Sequence, residues 1–145
     1  LIIINYNLML RSNLKSAQLL NQKLIEKREQ SLKLIHFESE YKNDEITLNP
    51  ESIAVIKSAD NYVEIYYERE GTPRRHIIRS TLNRAETVTQ NCGFLFRCHR
   101  SFIVNIRRIT EVQGNSQGYT LYVENLDFPV QVSHMYITEF KRLLL

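Results

Sequence analysis

Between residues 8 and 34 the chain carries a helical stripe. Leu10, Leu14, Ala17, Asn21 and Leu24 follow a four-three-four-three spacing, with Leu20 and Ile25 beside them. Lys15, Lys23, Glu26, Lys27 and Glu29 fall mostly off the stripe, and neither Gly nor Pro interrupts it. The spacing predicts one continuous helix. Fewer than four clean heptads leave two uses open: a connecting helix, or a coiled-coil strand in which Asn21 sets the register. Near Leu34 the period changes to two. In Tyr62–Glu68 the side chains of Val63, Ile65 and Tyr67 point one way, and Glu64, Tyr66 and Glu68 the other. Tyr119, Leu121 and Val123 repeat this alternation. Further strands are predicted at 35–41, 46–48, 52–57, 74–79, 102–104, 106–113 and 128–132. Turn residues such as Asn49-Pro50 and Gly71-Thr72-Pro73 separate several of them. Two short helices interrupt the strands. Ser80 or Thr81 can cap 82–90, and Ser133 can cap a closing helix carrying Ile137, Phe140 and Leu144 on one face.

The pattern predicts a mostly β domain over residues 34–145, with two short helices, preceded by an N-terminal linker helix within 1–33. At 145 residues, 43% hydrophobic and 24% charged, the chain can bury a core without staples, which excludes wholesale disorder. Cys92 and Cys98 are too few for a disulfide scaffold and point to a reducing, cytoplasmic setting. No apolar run reaches the roughly 18 residues of a membrane span. The chain starts at Leu1 without Met, so a fragment of a longer protein is expected. The apolar Leu1–Ile4 stub before a Lys/Arg-dotted helix suggests a membrane tether in the full-length protein.

Charge sharpens the picture. The net charge is only +3, yet residues 69–108 hold nine arginines (69, 74, 75, 79, 84, 97, 100, 107 and 108) against Glu70 and Glu86. That segment carries 9 − 2 = +7, and the remainder 3 − 7 = −4. Guanidinium forks suit phosphate oxygens and guanine edges, whereas local salt bridges are the alternative use of such charge. Enzymatic chemistry finds little support. Cys92, Cys98 and His99 lack a fourth ligand at a usual zinc spacing, neighbouring Cys98 and His99 would point to opposite faces of a strand, and no Gly-rich phosphate loop exists. Neither cofactor nor metal is expected.

The run Phe94-Leu-Phe-Arg-Cys-His-Arg-Ser-Phe-Ile-Val-Asn-Ile-Arg-Arg-Ile109 resembles the signature of the LytTR DNA-binding domain, the output module of LytR/AgrA-type bacterial response regulators. Ser58-Ala-Asp-Asn-Tyr-Val63, Arg79-Ser-Thr-Leu-Asn-Arg-Ala-Glu86 and Val132-Ser133 after Phe128-Pro129 match further family motifs in order, over about 110 residues. The resemblance implies an elongated β-β-β arrangement of antiparallel sheets, ten strands in the usual member, and sequence-specific binding of double-stranded promoter DNA through three loops. Here those loops correspond to Asn61-Tyr62, Arg100-Ser101 and the segment from Ser133. The third commonly reads Ser-Arg-Arg-Tyr; here it is Ser133-His134-Met135-Tyr136, without either arginine, which weakens or re-tunes that contact.

Arg100 is the leading candidate for base reading and Tyr62 the second. Arg79, Ser80, Thr81 and Asn83 are candidate phosphate contacts at the small helix start. His99 reads as a structural histidine and Arg97 as a salt-bridge partner at the core edge. A second use stays open: a β-rich interaction or dimerisation module that has lost DNA binding. Expected partners are DNA, a second copy through the N-terminal helix or on repeated sites, and a sensor or receiver region outside this chain.

Overall fold

A computed structural model describes residues 13–25, 33–41 and 43–145. Contacts divide the chain into two compact units, Leu1–Lys33 and Leu34–Leu145. In the first, residues 13–25 form a helix, α1, with every residue exposed. It contains Leu14, Ala17, Asn21 and Leu24 of the stripe; Leu10 and residues 26–32 lie outside the described residues. Lys33 and Leu34 are not helical, so the helix stops short of the predicted residue 34. Among the described residues no helix is long and apolar enough to cross a membrane.

The second unit has ten strands: β1 (Ile35–Glu38), β2 (Glu45–Leu48), β3 (Ile53–Ala59), β4 (Tyr62–Arg69), β5 (Thr72–Arg79), β6 (Leu95–His99), β7 (Phe102–Asn105), β8 (Ile109–Asn115), β9 (Gly118–Val123) and β10 (Val130–Val132). Two helices accompany them, α2 (Leu82–Thr89) and α3 (Ile137–Leu144). The strands form three antiparallel sheets: β1-β2, a central β5-β4-β3-β7-β6, and β10-β9-β8.

The central sheet is covered on both faces. On one face Ile56, Val63, Ile65, Ile78 and Ile103 meet Ile35, Phe37 and Leu48 of the small sheet and Leu82 and Ala85 of α2. On the other, Val55, Cys98 and Val104 meet Leu121, Val130 and Val132 of the third sheet and Ile137 and Phe140 of α3. This explains the continuous apolar run Ile53-Ala-Val-Ile56 in β3, which has no solvent face to make polar. A fully buried Leu, Ile or Phe contributes roughly 1.5–3 kcal/mol, so these two layers dominate stability.

Several predicted elements change. The first strand ends at Glu38, where Ser39 N–H donates to Asp44 O at 2.9 Å and closes the turn. Residues 106–108 form a 3-10 turn capped by the Asn105 carboxamide (2.9 Å from Arg107 N), so β8 begins only at Ile109. The last strand is shortened to Val130–Val132. Ser133 begins a 3-10 turn over His134–Tyr136 and makes no side-chain cap; α3 follows at Ile137, with Leu144 exposed rather than buried. Thr81, not Ser80, caps α2 by accepting from Arg84 N–H at 3.2 Å.

Candidate nucleic-acid interface

Antiparallel pairing brings the candidate turns to one end of the central sheet. Tyr62, at the start of β4, pairs with Arg79 at the end of β5 and with Ala59 at the end of β3. Asp60-Asn61 makes the tight β3–β4 turn, with Asp60 at φ 55°, a left-handed conformation that Asp tolerates. The next turn along the sheet, Arg100-Ser101 between β6 and β7, is tied to β3 by Ser58 N–H donating to Ser101 O at 2.9 Å. Ser133 N–H donates to Cys98 O at 3.0 Å, so the end of β10 abuts the end of β6. Five strands at about 4.8 Å spacing make this edge roughly 19 Å across.

Arg97 fastens the Arg100 turn. Its Nε donates to His99 O (3.0 Å) and its Nη2 to Arg100 O (2.9 Å), closing both turn carbonyls. Its Nη1 reaches Asn83 Oδ1 (2.8 Å) and Glu86 Oε2 (2.7 Å) on α2. The Arg97 side chain is only 14% exposed, so the guanidinium is spent inside the protein. His99 completes the lock: its Nδ1 accepts from Ser101 N–H at 3.0 Å, and its ring lies 5.6 Å from that of Phe102. Burial, with the nearby Arg100 and Arg97 charges, lowers the His99 pKa and favours the neutral ring that this acceptor role needs.

The lock leaves the Arg100 side chain exposed, with no acidic partner among the described residues. Glu86 pairs with Arg97 and Glu64 with Arg75, so neither claims it. Tyr62 is 43% exposed and Asn61 is exposed beside it. The Arg79 guanidinium lies 4.6 Å over the exposed Tyr41 ring. The other phosphate candidates are differently placed. Ser80 is buried, Thr81 uses its hydroxyl as the α2 cap, and Asn83 holds Arg97. Ser101 is half-buried, Ser133 is half-buried, and His134 is exposed in the third loop.

The arginine-rich segment is not one surface. Arg75, Arg84, Arg97, Arg107 and Arg108 form ion pairs with Glu64, Glu40, Glu86, Glu51 and Glu68 respectively. Arg69 pairs with Thr72 and Arg74 with Tyr67 across β4–β5, at the sheet end opposite Tyr62 and Arg79. Local salt bridges thus account for five of the nine arginines. Only Arg79 and Arg100 reach the turn edge without an acidic partner among the described residues.

With this geometry in place, residues 43–145 match the family model for the LytTr DNA-binding domain. The chain belongs to the LytTR DNA-binding family. The transcriptional regulatory protein YpdB of Escherichia coli K12 is 40% identical over 63 residues, covering 39% of this chain and 26% of that protein. YpdB from E. coli O6:H1 is 44% identical over 50 residues, 34% of this chain and 20% of its own length. The chain therefore spans about a quarter or less of the curated relatives it matches. A solved LytTr DNA-binding domain of a putative methyl-accepting/DNA response regulator from Bacillus cereus aligns with a TM-score of 0.56 at 22% identity. It covers 76% of this chain and 96% of that one, which shows the shared fold. The ten strands in three antiparallel sheets are those the LytTR resemblance implies.

Two residues at this LytTR edge escape sequence reasoning. Tyr41, the platform under Arg79, lies in a segment read as strand. Asp60 places a carboxylate in the first loop, which the family resemblance assigned to Asn61-Tyr62 alone. Arg97 was legible as a salt-bridge residue, but its carbonyl bonds were not.

Proposed function

We propose that residues 34–145 bind promoter DNA sequence-specifically, as the output domain of a bacterial transcriptional regulator acting in the cytoplasm. The observation that carries this reading is Arg100: an exposed guanidinium with no acidic partner among the described residues, on a turn immobilised by Arg97 and His99. A pre-ordered arginine can fork onto guanine O6 and N7 without first ordering its backbone. Tyr62 and Asn61 offer sugar and base-edge contacts in the neighbouring turn, Arg79 and Ser101 phosphate contacts, and Ser133-His134 a weaker third contact. Thr81, Ser80 and Asn83 support this edge from within the fold.

The α1 helix exposes Leu14, Leu20 and Leu24 at 61%, 63% and 56%. This apolar seam supports a second copy packed against it. On this reading, signal input comes from a sensor or receiver region outside residues 1–145.

A duplex selected from a random pool tests the reading. Arg100→Ala should weaken that duplex by roughly 1–3 kcal/mol and relax one base position, while costing random DNA little beyond one charge. Equal losses on both DNAs would remove the base-reading role. One observation favours a protein-interaction module instead: the third loop carries Met135, 77% exposed, where the family has an arginine. Mobility-shift titrations with no salt-dependent DNA complex would support that reading.

A further inference from the structure

The outer face of the β1–β2 hairpin gathers three side chains of metal-ligand type. Antiparallel register sets Glu38 directly opposite Glu45 and His36 directly opposite Thr47. Because side chains alternate along each strand, all four lie on the exposed face, while Ile35, Phe37, Ile46 and Leu48 face the core. His36 Nε2 sits 3.3 Å from Glu38 Oε1 and 3.2 Å from Glu45 Oε2. The three ligand atoms all lie within 4.8 Å of one another.

The geometry points to a zinc-type divalent cation site formed by His36, Glu38 and Glu45. Around a tetrahedral ion with bonds of roughly 2.0–2.1 Å, neighbouring ligand atoms stand about 3.3 Å apart. The two histidine–carboxylate separations already have that value, and metal entry would draw the two carboxylate oxygens, which lie within 4.8 Å of each other, toward it. Thr47 supplies an independent orienting contact. Its Oγ1 lies 2.7 Å from His36 Nδ1; in the tautomer protonated at Nδ1 that nitrogen donates to Thr47 and the Nε2 lone pair faces the carboxylates, as a bound ion requires. Electrostatics favours the same occupant. Like charges directly opposite on paired strands repel, and neither glutamate has a Lys or Arg ion-pair partner among the described residues. A protonated His36 brings at most one positive charge against two negative ones; a dication balances both. Three protein ligands leave one position for water.

None of its ligands is a candidate DNA contact, so its test does not depend on DNA. Chelator-treated protein of residues 1–145 is titrated with Zn²⁺ by calorimetry. One ion per chain is expected to bind and raise the thermal midpoint, since the ion binds the folded hairpin and not the dispersed ligands of the unfolded chain. His36→Ala and Glu45→Gln should each weaken binding at least about tenfold and remove the thermal shift, and Thr47→Val should weaken it about tenfold through the orienting bond. All three positions are exposed, so circular dichroism should show these variants folded. Co²⁺ substitution should give visible absorption without a thiolate charge-transfer band. The proposal is overturned by an absence of saturable binding, by unchanged affinity in both His36→Ala and Glu45→Gln, or by a thiolate band placing the ion on a cysteine. The first of these results would leave His36 as a plain hydrogen-bond bridge between two glutamates.

Discussion

Replacing Arg97 with Met keeps the length of the apolar stem and removes the guanidinium donors that hold the His99 and Arg100 carbonyls. The wild-type guanidinium bonds two turn carbonyls, at 3.0 and 2.9 Å, and two α2 acceptors, at 2.8 and 2.7 Å. Each carbonyl bond contributes about 1 kcal/mol net. The bond to Glu86, whose side chain is 49% exposed, is screened and adds roughly 0.5 kcal/mol, and Asn83 a similar amount. The sum is about 3 kcal/mol. With an unfolding entropy of about 2.1 cal/mol/K per residue, a domain of roughly 110 residues should lose about 10–13 °C in Tm. Lys at this position restores charge but not four directed bonds, and should recover less than half of that loss. DNA binding supplies the second readout. A freed turn must be re-ordered in the specific complex, so Arg97→Met should lower specific affinity about tenfold, equivalent to about 1.4 kcal/mol, and leave random DNA nearly unchanged. Calorimetric melting and paired titrations of specific and random duplexes measure both. A Tm within about 2 °C of wild type, below the value of a single hydrogen bond, would refute the clamp.

Salt dependence separates the two ends of the central sheet. Arg79→Ala should shallow the slope of log K against log salt by about 0.9, and Arg74→Ala, at the far end, should leave it unchanged; a shallower slope in the Arg74 variant would mean that DNA touches both ends. His99 gives a pH signature. Its pKa is lowered in the fold, chiefly by burial, so the neutral ring stabilises the native state above the unfolded histidine range. That contribution should fade as pH falls through the lowered folded value, and His99→Gln should flatten this part of the stability profile, read by chemical denaturation at stepped pH. Cys98 is fully buried and its thiol is pushed up to about 12 by that burial. Iodoacetamide at pH 8 should therefore leave Cys98 unmodified in the native protein and label it only on unfolding, as mass spectrometry would show.

Most of the β architecture was legible because half-buried strands alternate, as in Tyr62–Glu68 and Tyr119–Val123. The element missed was β6. Both of its faces are covered: Leu95 packs toward α2 and the small sheet, while Phe96 and Cys98 pack toward the third sheet. A strand without a solvent face shows no polar alternation, and a register shift between Arg97 and His99 breaks the period further. The turn edge was legible through family motifs rather than charge. Summed charge marked residues 69–108 as a +7 segment, but the acids that neutralise it lie largely outside that window, at Glu40, Glu51, Glu64 and Glu68. Antiparallel pairing sends successive strand ends to opposite edges, so arginines adjacent in sequence part company. Arg79 reaches the candidate interface, while Arg74 and Arg75, only a few residues earlier, lie toward the other edge. What makes Arg100 distinctive is therefore not the density of positive charge around it. Its neighbour Arg97 absorbs the nearby carboxylate and carbonyls, and so leaves Arg100 exposed on an ordered turn.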